Sequence, residues 1–432
     1  MIIERKRYLD KLIAKKGNGL IKIITGIRRC GKSYLLFELY KNFLLESGVE
    51  SKYIIELALD ELRNAKYRNP IELDNYIRSQ IAEHDKQYYI FLDEIQKVEN
   101  IPNPYIAGSA STIGFVDVLL GLIKIKNADI YVTGSNSKML SSDILTEFRG
   151  RGDEIRISPL TYSEFYAAYG DDKRRAWQEY CTYGGMPYIL YCKAHEDKSS
   201  YLKDLFDKIY LTDILERHKV ADPDNLDDLL NIVSSAVGSL TNPSKLSDTF
   251  RSVKKTNVSP NTIKQYLDYF IDAFILYKAN RYDVKGKKYI DTPLKYYFSD
   301  IGLRNARLNF RQQEETHIME NIIYNELRAR NFDVDVGVVE YNCKDENKKS
   351  KRVQLEVDFV ANKGSQRYYI QSALTVADED KRKKEINSLT RTGDSFKKIV
   401  VVCDDIIPWH DDNGILYIGV EQFLLEETAM DL

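Results

Sequence analysis

Short apolar runs alternate along this chain with stretches of helical three-to-four spacing. In "LIKIITGIRRCGKSYLLFELYKNFL" a β-branched run, Ile21 to Thr25, leads through a loop into a helix with an apolar face at Leu35, Leu36 and Leu39. Two further buried-strand patterns follow, Tyr88 to Leu92 in "QYYIFLDEIQKV" and the run in "ADIYVTGSNSKML". Together they predict an α/β domain. From Thr161 to about His218 the pattern is mostly helical, broken at "YGGMPY", with Leu205, Ile209, Ile214 and Leu215 on one helix face. Pro223 and the acids of "VADPDNLDD" end one helix and start another. A helix from Leu246 to Val253 comes next, then a turn, then a helix capped by Ser259 with Pro260 at its first position. Two strand-like runs flank Gly286, so this part reads as a winged helix-turn-helix. The remainder reads helix, strand, long polar hairpin, strand, strand, helix, strand, from "HIMENIIYNELRARNF" to "KKIVVVCDD".

The 432 residues amount to two to four domains, each able to bury a core. A net charge of −2 gives no global field for nucleic acid, so any basic surface must be local. Five cysteines without a CxxC pair point to a reducing cytoplasm, not to a disulfide framework or a structural zinc site. "MIIERKRYLDKLI" reads as a charged amphipathic helix instead of a secretory leader, and no apolar run reaches the ~18–20 residues of a membrane span. A cytoplasmic protein without a membrane partner is expected.

The sharpest chemical signal is Gly26-x4-Gly31-Lys32-Ser33, set between a strand and a helix. Such a loop lets backbone N–H groups close around phosphates, with the helix N-terminus adding partial positive charge. ATP is therefore expected on Gly26, Ile27, Arg28, Arg29, Cys30, Gly31, Lys32, Ser33 and Tyr34, with Lys32 reaching the β- and γ-phosphates. Asp93-Glu94 ends the second strand; Asp93 suits Mg²⁺ together with Ser33, and Glu94 suits the base that activates water. The third strand ends in Thr133, Ser135 and Asn136. Ser135 or Asn136 is the candidate sensor near the γ-phosphate, against a simple helix cap. Downstream, Arg149 or Arg151 is the candidate for stabilising charge on the transferring phosphoryl, in cis or from a neighbouring subunit of an oligomer, against a surface salt bridge.

"TGSNSKML", "FRGRGDEIRISPLTYSEF" and "YGGMP" resemble bacterial and archaeal AAA-type ATPases with a C-terminal restriction-endonuclease-like domain. The resemblance implies a P-loop NTPase (AAA-like) core at 1–158, a helical lid at 159–219, a winged-helix segment at 220–298 and a PD-(D/E)XK nuclease-like α/β domain at 299–432. In the winged-helix segment Lys254, Lys255, Lys264, Arg281, Lys285, Lys287 and Lys288 could line a surface for the backbone of double-stranded DNA. The alternative there is an interdomain lever with solvated charges.

A nuclease of that type needs three acids for Mg²⁺ and a Lys to stabilise the attacking hydroxide. Glu320 and Asp358 fit two positions, but Gln371 stands at the third and Ala373 where the Lys belongs, leaving a second Mg²⁺ site incomplete. Lys381, Lys383 or Lys384 of the next helix could substitute. His218 and His317 read as polar cap or surface residues. Three functions stay in play: an ATP hydrolase coupled to DNA or a protein partner, a nucleotide-gated Mg²⁺-dependent nuclease, and a slow ATP-holding switch with a protein partner.

Overall fold

Strand β1, Ile21–Thr25, is buried at every position, as a β-branched run with neighbours on both edges should be. A computed structural model describes residues 2–106, 111–135, 150–170, 172–311, 314–344 and 350–432. In it the chain forms two compact units, one of residues 1–159 with 272–274, the other of 160–271 with 275–432.

The first unit is built on β1, β2 (Ile54–Ala58), β3 (Tyr88–Asp93), β6 (Ala128–Gly134) and β7 (Gly152–Arg156); β4 (Ile101–Pro102) and β5 (Thr112–Ile113) make a separate small ribbon. These five strands are all parallel in the order β2-β3-β6-β1-β7. Helices make the crossovers from β1 to β2, from β2 to β3 and from β3 to β6 that parallel pairing requires. One of them, Pro70–Gln80, starts with Pro at its first turn and Asn69 as cap, the side chain accepting from Ile71 N at 3.0 Å. Ile23, Ile90, Leu92, Leu119, Leu122 and Val132 pack in one core cluster on the sheet. At roughly 1.5–3 kcal/mol for each fully buried Leu or Ile, that layer holds the strand ends in place. Because the strands run one way, Thr25, Asp93 and Ser135 leave the sheet at the same edge, and β6 lies between β3 and β1.

The second unit contains the helices expected as lid and as helix-turn-helix, together with one eight-stranded mixed sheet. Its strands are β8 (Leu276–Asp283), β9 (Lys288–Phe298), β10 (Asp333–Lys344), β11 (Ser350–Lys363), β12 (Gln366–Ala373), β13 (Lys397–Val402), β14 (Trp409–His410) and β15 (Leu416–Gly419). Their order is β14-β15-β13-β12-β11-β10-β8-β9. Here the structure departs from the sequence reading. The β8–β9 hairpin, expected as the wing of a domain ending at 298, pairs in parallel with β10 through Val336↔Arg281 to Val338↔Asp283. A boundary at 298/299 therefore cuts through a continuous sheet, and no local pattern reveals a pairing between strands more than fifty residues apart. Arg281, expected on a phosphate-facing surface, is buried at 7% exposure.

The "YGGMP" break also gains a physical cause. Gly184 has φ +72°, and a Cβ there would lie 2.2 Å from Asp300 Oδ1. Asp300 accepts from Gly185 N at 2.6 Å and from Leu303 N at 3.1 Å, capping the helix Ile301–Arg307. The glycine pair is thus the socket of a buried aspartate. Among the described residues no helix is long and apolar enough to cross a membrane.

Candidate functional site

The loop after β1 passes through Gly26, at φ +144°, where a Cβ would sit 2.2 Å from Ile157 O, so only glycine fits. Arg29 and Gly31 are also left-handed, at φ 67° and 99°, giving the loop its turn before a helical run from Lys32 to Glu46 with a π-helical middle, Leu35–Tyr40. Ile27 and Cys30 face inward, Cys30 Sγ against Ile157 O at 3.7 Å, whereas Arg29 is exposed and Arg28 half-buried. Tyr34 OH accepts from Ile3 N at 3.3 Å. Lys32 is buried, its Nζ donating to Gly26 O at 3.0 Å and Ile27 O at 3.2 Å.

Ser33 Oγ donates to Asp93 Oδ2 at 2.7 Å, which sets the two oxygens suited to Mg²⁺ side by side at the end of the loop. Thr133 Oγ1 donates to the other oxygen of Asp93 and accepts from Glu94 N at 3.0 Å. Burial pushes the Asp93 carboxyl up; the hydrogen bonds from Thr133 and Ser33 pull the other way without cancelling it. Glu94 follows in a left-handed conformation, φ 52° and ψ 49°, the kind of backbone cost that accumulates at working sites. These residues fit a hard cation beside a phosphate loop. Of the terminal cluster on β6, Thr133 organises both acids, a role the sequence reading did not give it. Ser135 is buried and takes an N–H from Gln96 Nε2 at 3.3 Å. Gln96 was absent from the expected set, and a polar residue on a turn carries no signal that would have raised it.

Asn136 and Arg149 lie outside the described residues. Arg151 calls for a correction. It precedes β7, and its carbonyl accepts from Ile21 N at the start of β1. With Gly152 paired to Ile21 and Arg156 to Thr25, Arg151 stands at the edge of the sheet opposite the phosphate loop. Four strand residues span about 13 Å, so Arg151 cannot act in cis. Arg156 is the arginine of this strand at the correct edge, its guanidinium 4.6 Å from the Phe274 ring centroid.

In the second unit Glu320 and Asp358 do come together, with Lys295 between them. Lys295 Nζ lies 2.8 Å from Glu320 Oε1, 2.7 Å from Glu356 Oε1 and 4.0 Å from Asp358 Oδ1, and its side chain is 4% exposed. Burial alone would lower the Lys295 pKa; the facing Glu320, Asp358 and Glu356 outweigh it and hold the ammonium charged. Burial, with repulsion from Glu320, raises Asp358. Tyr297 OH also donates to Glu320 Oε1, at 2.6 Å, and Ser372 N to Asp358 Oδ2, at 2.8 Å. Gln371 Oε1 accepts from Asp358 N at 3.4 Å, and Ala373 is packed in the apolar core. Glu320 Oε1 and Asp358 Oδ2 are taken by internal donors, and among the described residues no three His, Cys, Asp or Glu are grouped to hold a metal ion. The second Mg²⁺ site expected from Glu320, Asp358 and Gln371 does not fit these residues. Lys383 pairs with Glu379, Lys384 is exposed and the Lys381 side chain lies outside the described residues; the cation seen among these acids is Lys295 of β9, which the sequence reading had assigned to another domain. His218 stacks on Tyr269 at 3.8 Å, and His317 Nδ1 is 4.0 Å from Glu320 Oε2.

Comparison with known proteins agrees with this geometry in the first unit. Residues 18–166 match the family profile of an AAA domain, and residues 174–314 that of a domain of unknown function. The solved Walker-type ATPase of Pyrococcus abyssi is 15% identical, spanning 71% of this chain and 96% of that one, with a TM-score of 0.45. An uncharacterised protein of Methanocaldococcus jannaschii is 29% identical over 338 residues, 74% of this chain and 68% of the relative. One from Haemophilus influenzae is 33% identical over 406 residues, 93% of each chain. With that similarity running almost end to end, the chain belongs to the family of the Haemophilus protein, and its phosphate loop lies inside the matched AAA domain.

Proposed function

We propose that the protein hydrolyses ATP with Mg²⁺ and uses the nucleotide state to control binding of double-stranded DNA or a protein partner. The observation that carries the reading is the continuous hydrogen-bonded line Ser33–Asp93–Thr133–Glu94 at the mouth of the phosphate loop. Ser33 and Asp93 would hold Mg²⁺, which would supply charge neutralisation at the phosphate oxygens. Lys32 turns its ammonium to the β- and γ-phosphates. Glu94 takes a proton from water as the water oxygen bonds to the γ-phosphorus and the bond to the bridging oxygen breaks, giving ADP and inorganic phosphate. Ser135 and Asn136 remain the candidates for sensing the γ-phosphate.

Coupling is assigned to the second unit, whose lid helices, helix-turn-helix and hairpin follow the AAA core. Lys255, Lys264, Lys285, Lys287 and Lys288 are exposed there and suit phosphate contacts, whereas Lys254 pairs with Asp228. In the same reading the C-terminal acids hold Lys295 as counter-charge and do not cut. The test is steady-state ATP hydrolysis with and without double-stranded DNA, beside Lys32→Ala as blank. Rate stimulation that weakens as salt rises supports coupling through phosphates. Turnover indifferent to DNA moves the assignment to a protein partner, and no turnover above the blank refutes the hydrolase reading.

A further inference from the structure

We infer that Gln96 is a positioning residue for the water that attacks ATP, an inference resting on the reading of Glu94 as base. Gln96 sits on the tight turn Ile95–Lys97 that Glu94 begins. That turn is closed by Lys97 N donating to Glu94 O at 2.9 Å and Val98 N to Ile95 O at 3.0 Å, and it is pinned by Ile95 and Val98 in the core cluster. From this fixed base the Gln96 amide nitrogen donates to Glu94 Oε2 and, at 3.3 Å, to Ser135 Oγ. One neutral fork thus joins the base to the candidate sensor on the neighbouring strand.

The other end of the amide decides the role. Gln96 Oε1 is buried and has no hydrogen-bond donor among the described residues. A buried acceptor left without a donor carries the full cost of its lost hydration. Turning the amide over would not remove that cost, because Oε1 would then face the Glu94 carboxylate, acceptor against acceptor. Gln96 is therefore held with an acceptor beside the base and no protein donor to fill it. Hydrolysis brings a molecule of the right kind to this place. Water has two O–H groups, one for the carboxylate oxygen of Glu94 that Gln96 does not hold and one for Gln96 Oε1. With both O–H bonds directed into the turn, the oxygen lone pair is left for the γ-phosphorus. A lone carboxylate fixes a water less well, because one contact leaves it free to swing, and positioning is where much of the rate in phosphoryl transfer arises.

Three variants of the full chain test this, Gln96→Leu, Gln96→Asn and Glu94→Gln, each assayed for steady-state hydrolysis of Mg-ATP and for equilibrium binding of ADP. The expected result is a kcat about tenfold or more below wild type for Gln96→Leu, with KM and ADP affinity within about twofold. Gln96→Asn, whose amide is one methylene short, should fall between. A Gln96→Leu enzyme that keeps its kcat while Glu94→Gln loses it overturns the role of Gln96 and leaves the base in place. So does a kcat that falls only in step with ADP affinity, which would mark a distorted loop. If Glu94→Gln turns over like wild type, the base reading itself is overturned and this one with it. Should Gln96→Leu fail to fold, Gln96→Asn decides by the same split.

Discussion

Asp300 offers a test of the second unit that needs no knowledge of its ligand. The carboxyl is fully buried between the glycine pair and the first turn of a helix, and burial pushes its pKa up to about 6 from an ordinary 3.8, against the pull of backbone N–H groups from Gly185, Leu303 and Gly302. A raised carboxyl in the folded state means that folding takes up a proton, so stability from this group is complete below the unfolded pKa and is lost as pH rises through 6. Replacing Asp300 by Asn keeps the shape and removes the titration. The amide also leaves at least one of these N–H donors facing an NH2 group, so the variant should be less stable by about 1–3 kcal/mol, an offset that does not change with pH. The informative quantity is the difference between wild type and Asp300→Asn in unfolding free energy. From pH 7 it should grow in favour of wild type by about 1.4 kcal/mol at pH 5 and about 2.4 kcal/mol at pH 4. Titrations of other groups cancel in that difference. The chain has two tryptophans, Trp177 and Trp409, both in the second unit, so urea unfolding followed by fluorescence excited selectively in tryptophan reports on this unit. Parallel stability curves for the two proteins between pH 7 and pH 4 would refute the argument.

Two further outcomes are expected. Lys295→Met leaves Glu320, Glu356 and Asp358 facing one another without a cation, and should cost about 3–5 kcal/mol in the same urea assay at pH 7; a loss under 1 kcal/mol would show that the acids do not depend on this lysine. Arg151→Ala should leave the kcat of dilute, monomeric protein within about twofold of wild type, since the side chain starts about 13 Å from the phosphate loop. A collapse of rate at every protein concentration would overturn that placement, whereas a loss confined to high concentration would mark Arg151 as acting on a neighbouring subunit.

The nucleotide site was legible because its determinants are local. Gly26, Gly31, Lys32 and Ser33 fall within eight residues, and Asp93-Glu94 ends an apolar run whose burial the pattern declares. The polar end of β6 announced its place between β1 and β3, whereas β2 and β7 were not read from the sequence. What stayed hidden depends on contacts distant in sequence. Lys295 meets Glu356 and Asp358 across some sixty residues and from a strand that local pattern assigned to a wing. Arg151 looked like a finger by proximity to the sensor strand, but a parallel sheet sends the two ends of a short strand to opposite edges. "YGGMP" stood out as a motif, yet only the structure shows Asp300 as its reason. Thr133 and Gln96 were visible as letters without roles, because a role here means the direction of one hydroxyl or one amide.

The pairing of β8 with β10 bears on how the chain is made. On the ribosome, Lys295 emerges well before the carboxylates that neutralise it, and the hairpin carrying it can close early by local contacts alone. Its inner partner, β10, arrives about fifty residues later, so an unpaired sheet edge is exposed meanwhile, a template for the wrong neighbour. Residues 299–432 produced by themselves would face the mirror problem, with β10 uncovered and three acids lacking their cation. Such a fragment is expected to aggregate where the whole second unit does not.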